Sequence, residues 1–205
     1  MPPLPFACVR FVALVVAGLC LLGADFARPD PASFALGSTT EAEIRQRFGN
    51  PYGQTTSRVG DRVVTTLQYT YAEPRTGVIP ARAMTYSFYE GRLVGFDYSS
   101  SFGADETAFD EKVVKRIKRG ETTRTEVLAI AGPPTGQFIY PTPQATVPGR
   151  RAYVYGYSRS ERLAPATLET ANKVLTITFD DHDVVAELSL VMTTISRPLP
   201  SGDRS

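Results

Sequence analysis

The sequence predicts an α+β fold built as two tandem repeats, each with one or two short helices packed on a small antiparallel β-meander. Three observations carry this expectation. A fifteen-residue phrase occurs twice, as GSTTEAEIRQRFGNP at 37–51 and GETTRTEVLAIAGPP at 120–134, with six positions identical. After each phrase come alternating runs rich in Val, Thr, Tyr and Phe, the pattern of half-buried strands. Matched strands keep their order while their offset grows from 83 (Gly53 with Gly136) to 86 (Leu67 with Tyr153) and 91 (Thr85 with Thr176). Loop insertions into a duplicated unit produce such a drift.

The chain opens on an apolar run of thirteen residues, Phe11 to Gly23, preceded by Arg10 and followed by polar, proline-bearing sequence. The run is short for a membrane span and suits the core of a secretory signal, so 1–24 reads as an export segment. Both cysteines, Cys8 and Cys20, fall inside it. The exported body then has neither a disulfide framework nor a thiolate metal site. Two routes of processing stay open. One cleaves before Cys20, which would carry a lipid, although the preceding Leu19 is larger than that signal usually has. The other cleaves near Ala24.

Residues 28–103 form the first expected unit. Thr40 stands three residues before Glu43, the spacing of a capping box, and Ile44 with Phe48 gives a two-turn helix one apolar face. Gly49 and Pro51 end that helix. Strands are expected at 55–58, 63–71, 83–89 and 93–99, with a tight hairpin at Glu90-Gly91. Residues 104–194 form the second unit. Phe109, Val113 and Ile117 predict a helix over 106–118, and Thr123 with Glu126 repeats the capping box. Strands are expected at 137–139, 151–157, 173–179 and 184–192, an extra helical turn within 163–172, and a disordered tail at 195–205.

Composition narrows function by exclusion. Hydrophobic residues make up 42% of the 205 and charged ones 21%, an ordinary globular balance. Setting aside Arg10 of the export segment leaves the basic residues equal in number to the 21 acidic ones. That balance lacks the basic surplus of a nucleic-acid binder. Candidate chemistry is sparse. The only histidine, His182, lies among Asp180, Asp181 and Asp183 and reads as a solvated hairpin turn rather than a metal cage. Glu43 and Glu126 resemble a catalytic carboxylate pair, but capping explains each separately. Ser99-Ser100-Ser101 offers a nucleophile by composition alone, and no phosphate-binding glycine pattern occurs. No enzymatic activity, cofactor or metal is expected. Tyr69 and Tyr71 share one strand face, as do Tyr153, Tyr155 and Tyr157. They are candidates for a protein-binding surface, with burial beneath the helices as the alternative.

The Gly-x-Thr-Thr-x-x-Glu phrase, the Gly-x-Pro stop, the aromatic strand and the following hairpin together resemble the SmpA/OmlA (BamE-like) outer-membrane lipoprotein family. The resemblance covers 37–99 and 106–192. It implies two short helices on a small sheet in each unit. It also implies an exported envelope protein of a Gram-negative bacterium, acting as a protein-binding or scaffold module in outer-membrane assembly or maintenance. The protein would sit on the periplasmic side of the outer membrane, held there through Cys20 if that residue is lipidated. The doubled fold is similar to that of the β-lactamase-inhibitory proteins, whose joined sheets form a concave protein-binding face. That likeness implies the alternative, a soluble periplasmic inhibitor or ligand-binding module.

Overall fold

A computed structural model describes residues 30, 33–73, 80–105, 107–164 and 167–198. The export segment with Cys20 lies outside the described residues. The chain folds into one continuous eight-stranded antiparallel sheet with strictly sequential order, β1 to β8. The strands are β1 (Gly53–Val59), β2 (Arg62–Ala72), β3 (Ala81–Tyr89), β4 (Arg92–Ser100), β5 (Gly136–Ile139), β6 (Arg151–Ala164), β7 (Thr167–Phe179) and β8 (Val185–Pro198). Helix is scarce among the described residues: α1 (Glu41–Phe48) and α2 (Arg124–Ala131) have eight residues each, and short 3₁₀ segments include Gly103–Asp105 and Glu111–Arg116.

This architecture corrects the expected α+β tandem repeat. Two isolated two-turn helices do not make a layer, and the strands do not divide into two meanders. Gly95 and Phe96 of β4 pair with Phe138 and Gln137 of β5, which closes the sheet across its middle. The close approach is permitted by a missing side chain, since a Cβ on Gly95 would lie 2.1 Å from Cδ1 of Phe138. The sequence around 163–172 also behaves differently from the helical expectation. Its described residues, 163–164 and 167–172, form the end of β6 and the start of β7, held by pairs such as Ser158 with Asn172 and Arg159 with Ala171. Cross-strand pairing overrides the weak helical preference of this Ala- and Glu-bearing stretch. The helix expected over 106–118 is reduced to the six-residue 3₁₀ segment, capped by the Asp110 carboxylate on Lys112 N–H. Strand β8 runs on through Pro198, into the stretch read as a tail.

The duplicated phrase has the local structure its residues dictate. Thr40 and Thr123 are N-caps in extended conformation, each in a complete capping box with Glu43 or Glu126. Thr40 N–H donates to Glu43 Oε2 at 2.6 Å and Thr123 N–H to Glu126 Oε2 at 2.8 Å. These bonds hold both carboxyls below the usual glutamate range. Gly49 and Gly132 close the helices at φ 74° and 73°, where a Cβ would be strained. Each cap is also pinned to a strand. Leu93 N–H donates to the Thr39 carbonyl at 2.8 Å, and Val185 N–H to the Thr122 carbonyl at 2.9 Å.

Register shows that both helices lie on the same side. Phe96 pairs with Gln137, which pairs with Tyr153, so the three side chains share a face. Phe96 belongs to a core with Phe34, Ile44 of α1, Leu67, Tyr69, Met84, Tyr86 and Tyr98. Tyr153 belongs to another with Val127 of α2, Tyr155, Leu175, Ile177 and Phe179. Burying each large apolar side chain contributes roughly 1.5–3 kcal/mol relative to leaving it exposed, so these two clusters dominate the stability. The opposite face has no helix upon it among the described residues. We call it the open face.

Candidate functional site

The open face is defined by the side chains that alternate with the two cores. On β2 and β3 it carries Thr66, Gln68, Thr70, Thr85 and Ser87; on β7 and β8 it carries Val174, Thr176, Thr178, Ser189, Val191 and Ile195. Most are small hydroxyl or β-branched residues that make the face even, and two of them, Ser87 and Thr178, are buried. One corner is covered by residues 140–150, where Thr142 and Ala145 are buried and the Gln144 carbonyl accepts from the Thr178 hydroxyl. A small cluster of Phe138, Ala152 and Val154 lies beside this loop.

Two features interrupt the evenness. The first joins the halves of the sheet. Arg62 at the start of β2 donates Nη1–H to the Tyr89 hydroxyl at 2.6 Å and Nε–H to the Tyr140 hydroxyl at 2.8 Å. Its guanidinium carbon lies 5.0 and 5.1 Å from the centres of those two rings. All three side chains are half-buried, so the cluster presents aromatic and cationic surface at the junction. The second is Asp97 of β4. It keeps some exposed surface, yet burial pushes its pKa up to about 6 against the lowering by Tyr98 N–H and the Thr135 hydroxyl. Beyond them, Val174, Val191 and Ile195 are exposed apolar residues toward one margin, at 37%, 52% and 43%. These residues together make up a candidate surface that no sequence pattern announces. The tyrosines of β2 and β6 alternate along their strands, whereas Tyr89 and Tyr140 stand next to hairpin and loop signals. Only the fold brings Arg62 between them.

The tyrosines singled out from sequence lie on the helix side. Tyr69, Tyr153 and Tyr155 are 2%, 5% and 2% exposed, and burial pushes the Tyr155 phenol well above its ordinary value. Tyr69 donates to the Gly49 carbonyl at 3.2 Å and Tyr155 to the Gly132 carbonyl at 2.9 Å, tying a strand to the end of each helix. Tyr71 and Tyr157 are half-buried on the same side, and Tyr71 stacks near Phe102 at 6.1 Å. Tyr69 belongs to the first core and Tyr153 and Tyr155 to the second, so the five are not gathered on one surface.

The remaining candidates have structural employment. Glu43 and Glu126 are engaged by their caps. Ser100 Oγ donates to Asp105, and Ser101 Oγ accepts from Ala81 N–H. Asp180, Asp181 and His182 bring three donor atoms within 4.8 Å. Asp180 already accepts from the N–H groups of His182 and Val184, and Asp181 and His182 are exposed, as a hairpin turn requires. Among the described residues no helix is long and apolar enough to cross a membrane.

No family model and no curated protein matches the chain, so the SmpA/OmlA resemblance rests on its motif residues alone. Among solved structures, a protein from Streptococcus mutans described as a putative beta-lactamase inhibitor protein is similar. It is 12% identical with a TM-score of 0.38, over 75% of this chain and 82% of that one. At that score the likeness carries no argument about function.

Proposed function

We propose that this chain is a non-catalytic, exported binding module, and that its working surface is the open face, which takes up another protein of the cell envelope. The observation that supports this reading is the asymmetry of the sheet. Both helices and both aromatic cores lie on one side, while the other, partly covered by residues 140–150, carries no helix among the described residues and bears the Arg62–Tyr89–Tyr140 cluster and exposed Val174, Val191 and Ile195. Tyr and Arg with scattered apolar residues in an extended surface suit protein recognition. An inhibitor that covers another protein's surface would use such a face directly, and we favour that form over a part in outer-membrane assembly. The absence of catalysis is proposed because the candidate nucleophile and carboxylates are engaged in caps, turns and the Asp105 network. Export, with or without a lipid on Cys20, is proposed from the apolar leader.

A photo-crosslinking amino acid placed singly at Thr70, Thr85 or Thr176 of the open face tests the reading in producing cells. Protein adducts from these positions, and none from exposed Leu128 on α2, are expected. Adducts from Leu128 with none from the open face would reject it.

A further inference from the structure

Asp97 occupies the point on the open face where β4, β5 and β6 meet. Its Oδ1 lies over two glycines: a Cβ would be 2.6 Å from it on Gly136 and 4.0 Å on Gly156. An ionised carboxylate accepts through about four lone-pair sites, and this one is poorly supplied. The Thr135 hydroxyl is 3.3 Å from Oδ1, but the same hydroxyl is 3.1 Å from the Val154 carbonyl, so one proton faces two acceptors. The other donor, Tyr98 N–H, also faces the Thr135 carbonyl at 3.1 Å. Among the described residues no Lys, Arg or His side chain reaches it within 4.0 Å. Asp105, eight residues on, shows the contrast: its carboxylate receives two Arg82 nitrogens and the hydroxyls of Tyr98 and Ser100.

We propose that Asp97 is the seat of a basic side chain, lysine or arginine, presented by the protein that the open face binds. The inference rests on the proposed function and names the chemistry of its partner. A shallow groove begins two residues along β4 from Asp97; Thr70, Ala83, Ser99 and Ser158 line it together with Tyr71 and Arg82, whose guanidinium is held by the Asp105 carboxylate. Its small side chains on β2, β3, β4 and β6 leave room for the aliphatic stem of a Lys or Arg whose charged head reaches the carboxylate. A metal ion fits the site poorly. Hard cations take six or more oxygen ligands, whereas here one carboxylate is met by N–H and O–H donors. A free small amine would lack the enclosing apolar walls that hold small ligands. A side chain delivered by a protein needs neither. The elevated pKa agrees, because a cation would relieve the cost of ionising a carboxyl surrounded by protein.

The test uses the full chain and nuclear magnetic resonance. The probes are capped glycyl-lysyl-glycine and glycyl-arginyl-glycine, with the norleucine peptide as the uncharged control and calcium ion as the competitor. The expected result is a saturable shift of the Asp97 carboxyl carbon and the Gly136 and Gly156 amides with the two basic peptides only. Asp97→Asn should abolish it while the rest of the amide spectrum stays folded. No saturable shift, an equal response to norleucine, persistence in Asp97→Asn, or a response to calcium alone would overturn the proposal. If the peptides fail while crosslinks still come from the open face, the basic seat falls and the binding face stands. If the peptides bind while the open face yields no crosslinks, the protein occupant is overturned.

Discussion

Strands β4 and β8 are the fourth strands of the two halves, and they do opposite jobs with the same local geometry. Each follows a tight hairpin, and each carries the same irregularity, a register shift at Ser87/Phe88 opposite β4 and at Thr178/Phe179 opposite β8. The pairings therefore correspond: Ser87 with Gly95 matches Thr178 with Glu187, and Thr85 with Asp97 matches Thr176 with Ser189. Strand β4 has a neighbour on both sides and, among the described residues, β8 only on one. Where β5 docks, the position is a glycine, because Phe138 needs the space. Where nothing docks, it is exposed Glu187. Where β5 and β6 close in, the carboxyl of Asp97 is forced up in pKa; at the free edge the same position is exposed Ser189. An edge strand with charged and polar residues resists further pairing. An interior strand in the same frame becomes the middle of one surface.

The segment between the halves repeats the lesson on the helix side. Asp105 is held by Arg82 of β3, with side chains 7% and 15% exposed. Glu111 is held by Lys173 of β7, with side chains 41% and 35% exposed. Burial pushes the Asp105 carboxyl up, but hydrogen bonds from Arg82, Ser100 and Tyr98 outweigh it and hold the carboxyl below its ordinary range. The largest predicted effect follows. Asp105→Ala should cost about 3 kcal/mol in chemical denaturation, since it leaves the Arg82 charge buried without its partner. Glu111→Ala should cost less than about 1 kcal/mol, as an exposed pair does. Equal costs would remove the distinction between the two pins.

The junction offers the next contrast. Gly95→Ala should destabilise by about 2 kcal/mol, because the added methyl meets the Phe138 ring and the packing must shift. Glu187→Ala, its counterpart on the free edge, should stay within about 0.5 kcal/mol of the parent. A neutral Gly95→Ala would mean that β4 and β5 are not in contact. Smallest and symmetric are the caps. Thr40→Ala and Thr123→Ala should each cost about 1 kcal/mol, read from the denaturation midpoint. Here the two halves are expected to agree.

Those caps were legible in the sequence because capping is local: Thr, Glu, Gly and Pro at fixed spacing suffice. The hairpin at Glu90-Gly91 was legible for the same reason. The sheet as a whole was not. Strand β5 is four residues long and meets β4 through two residues, so nothing periodic announces the joint. Gly95 looks like any strand glycine until Phe138 lies across it. Two clear helices point to α+β, although α1 and α2 together hold sixteen residues against a sheet of eight strands. Residues 167–172 are strand because β7 pairs there with both β6 and β8. Of the candidate surface, the alternation of Tyr69, Tyr71, Tyr153, Tyr155 and Tyr157 was visible but not the side that the helices cover. Arg62, Tyr89, Asp97 and Tyr140 converge only through register.

The comparison rests most heavily on Asp97, an acid made interior by the docking of the second half on the first. Its raised pKa fixes the sign of a pH effect. The folded protein binds the proton more tightly than the unfolded chain, so this group favours folding below the ordinary carboxylate value of 3.8 and that contribution is lost as pH rises through about 6. The direct measurement is the titration of the Asp97 carboxyl carbon by nuclear magnetic resonance. A midpoint near 6 is expected. A midpoint at or below the ordinary 3.8 would contradict the burial of β4 between the halves and, with it, a single open face.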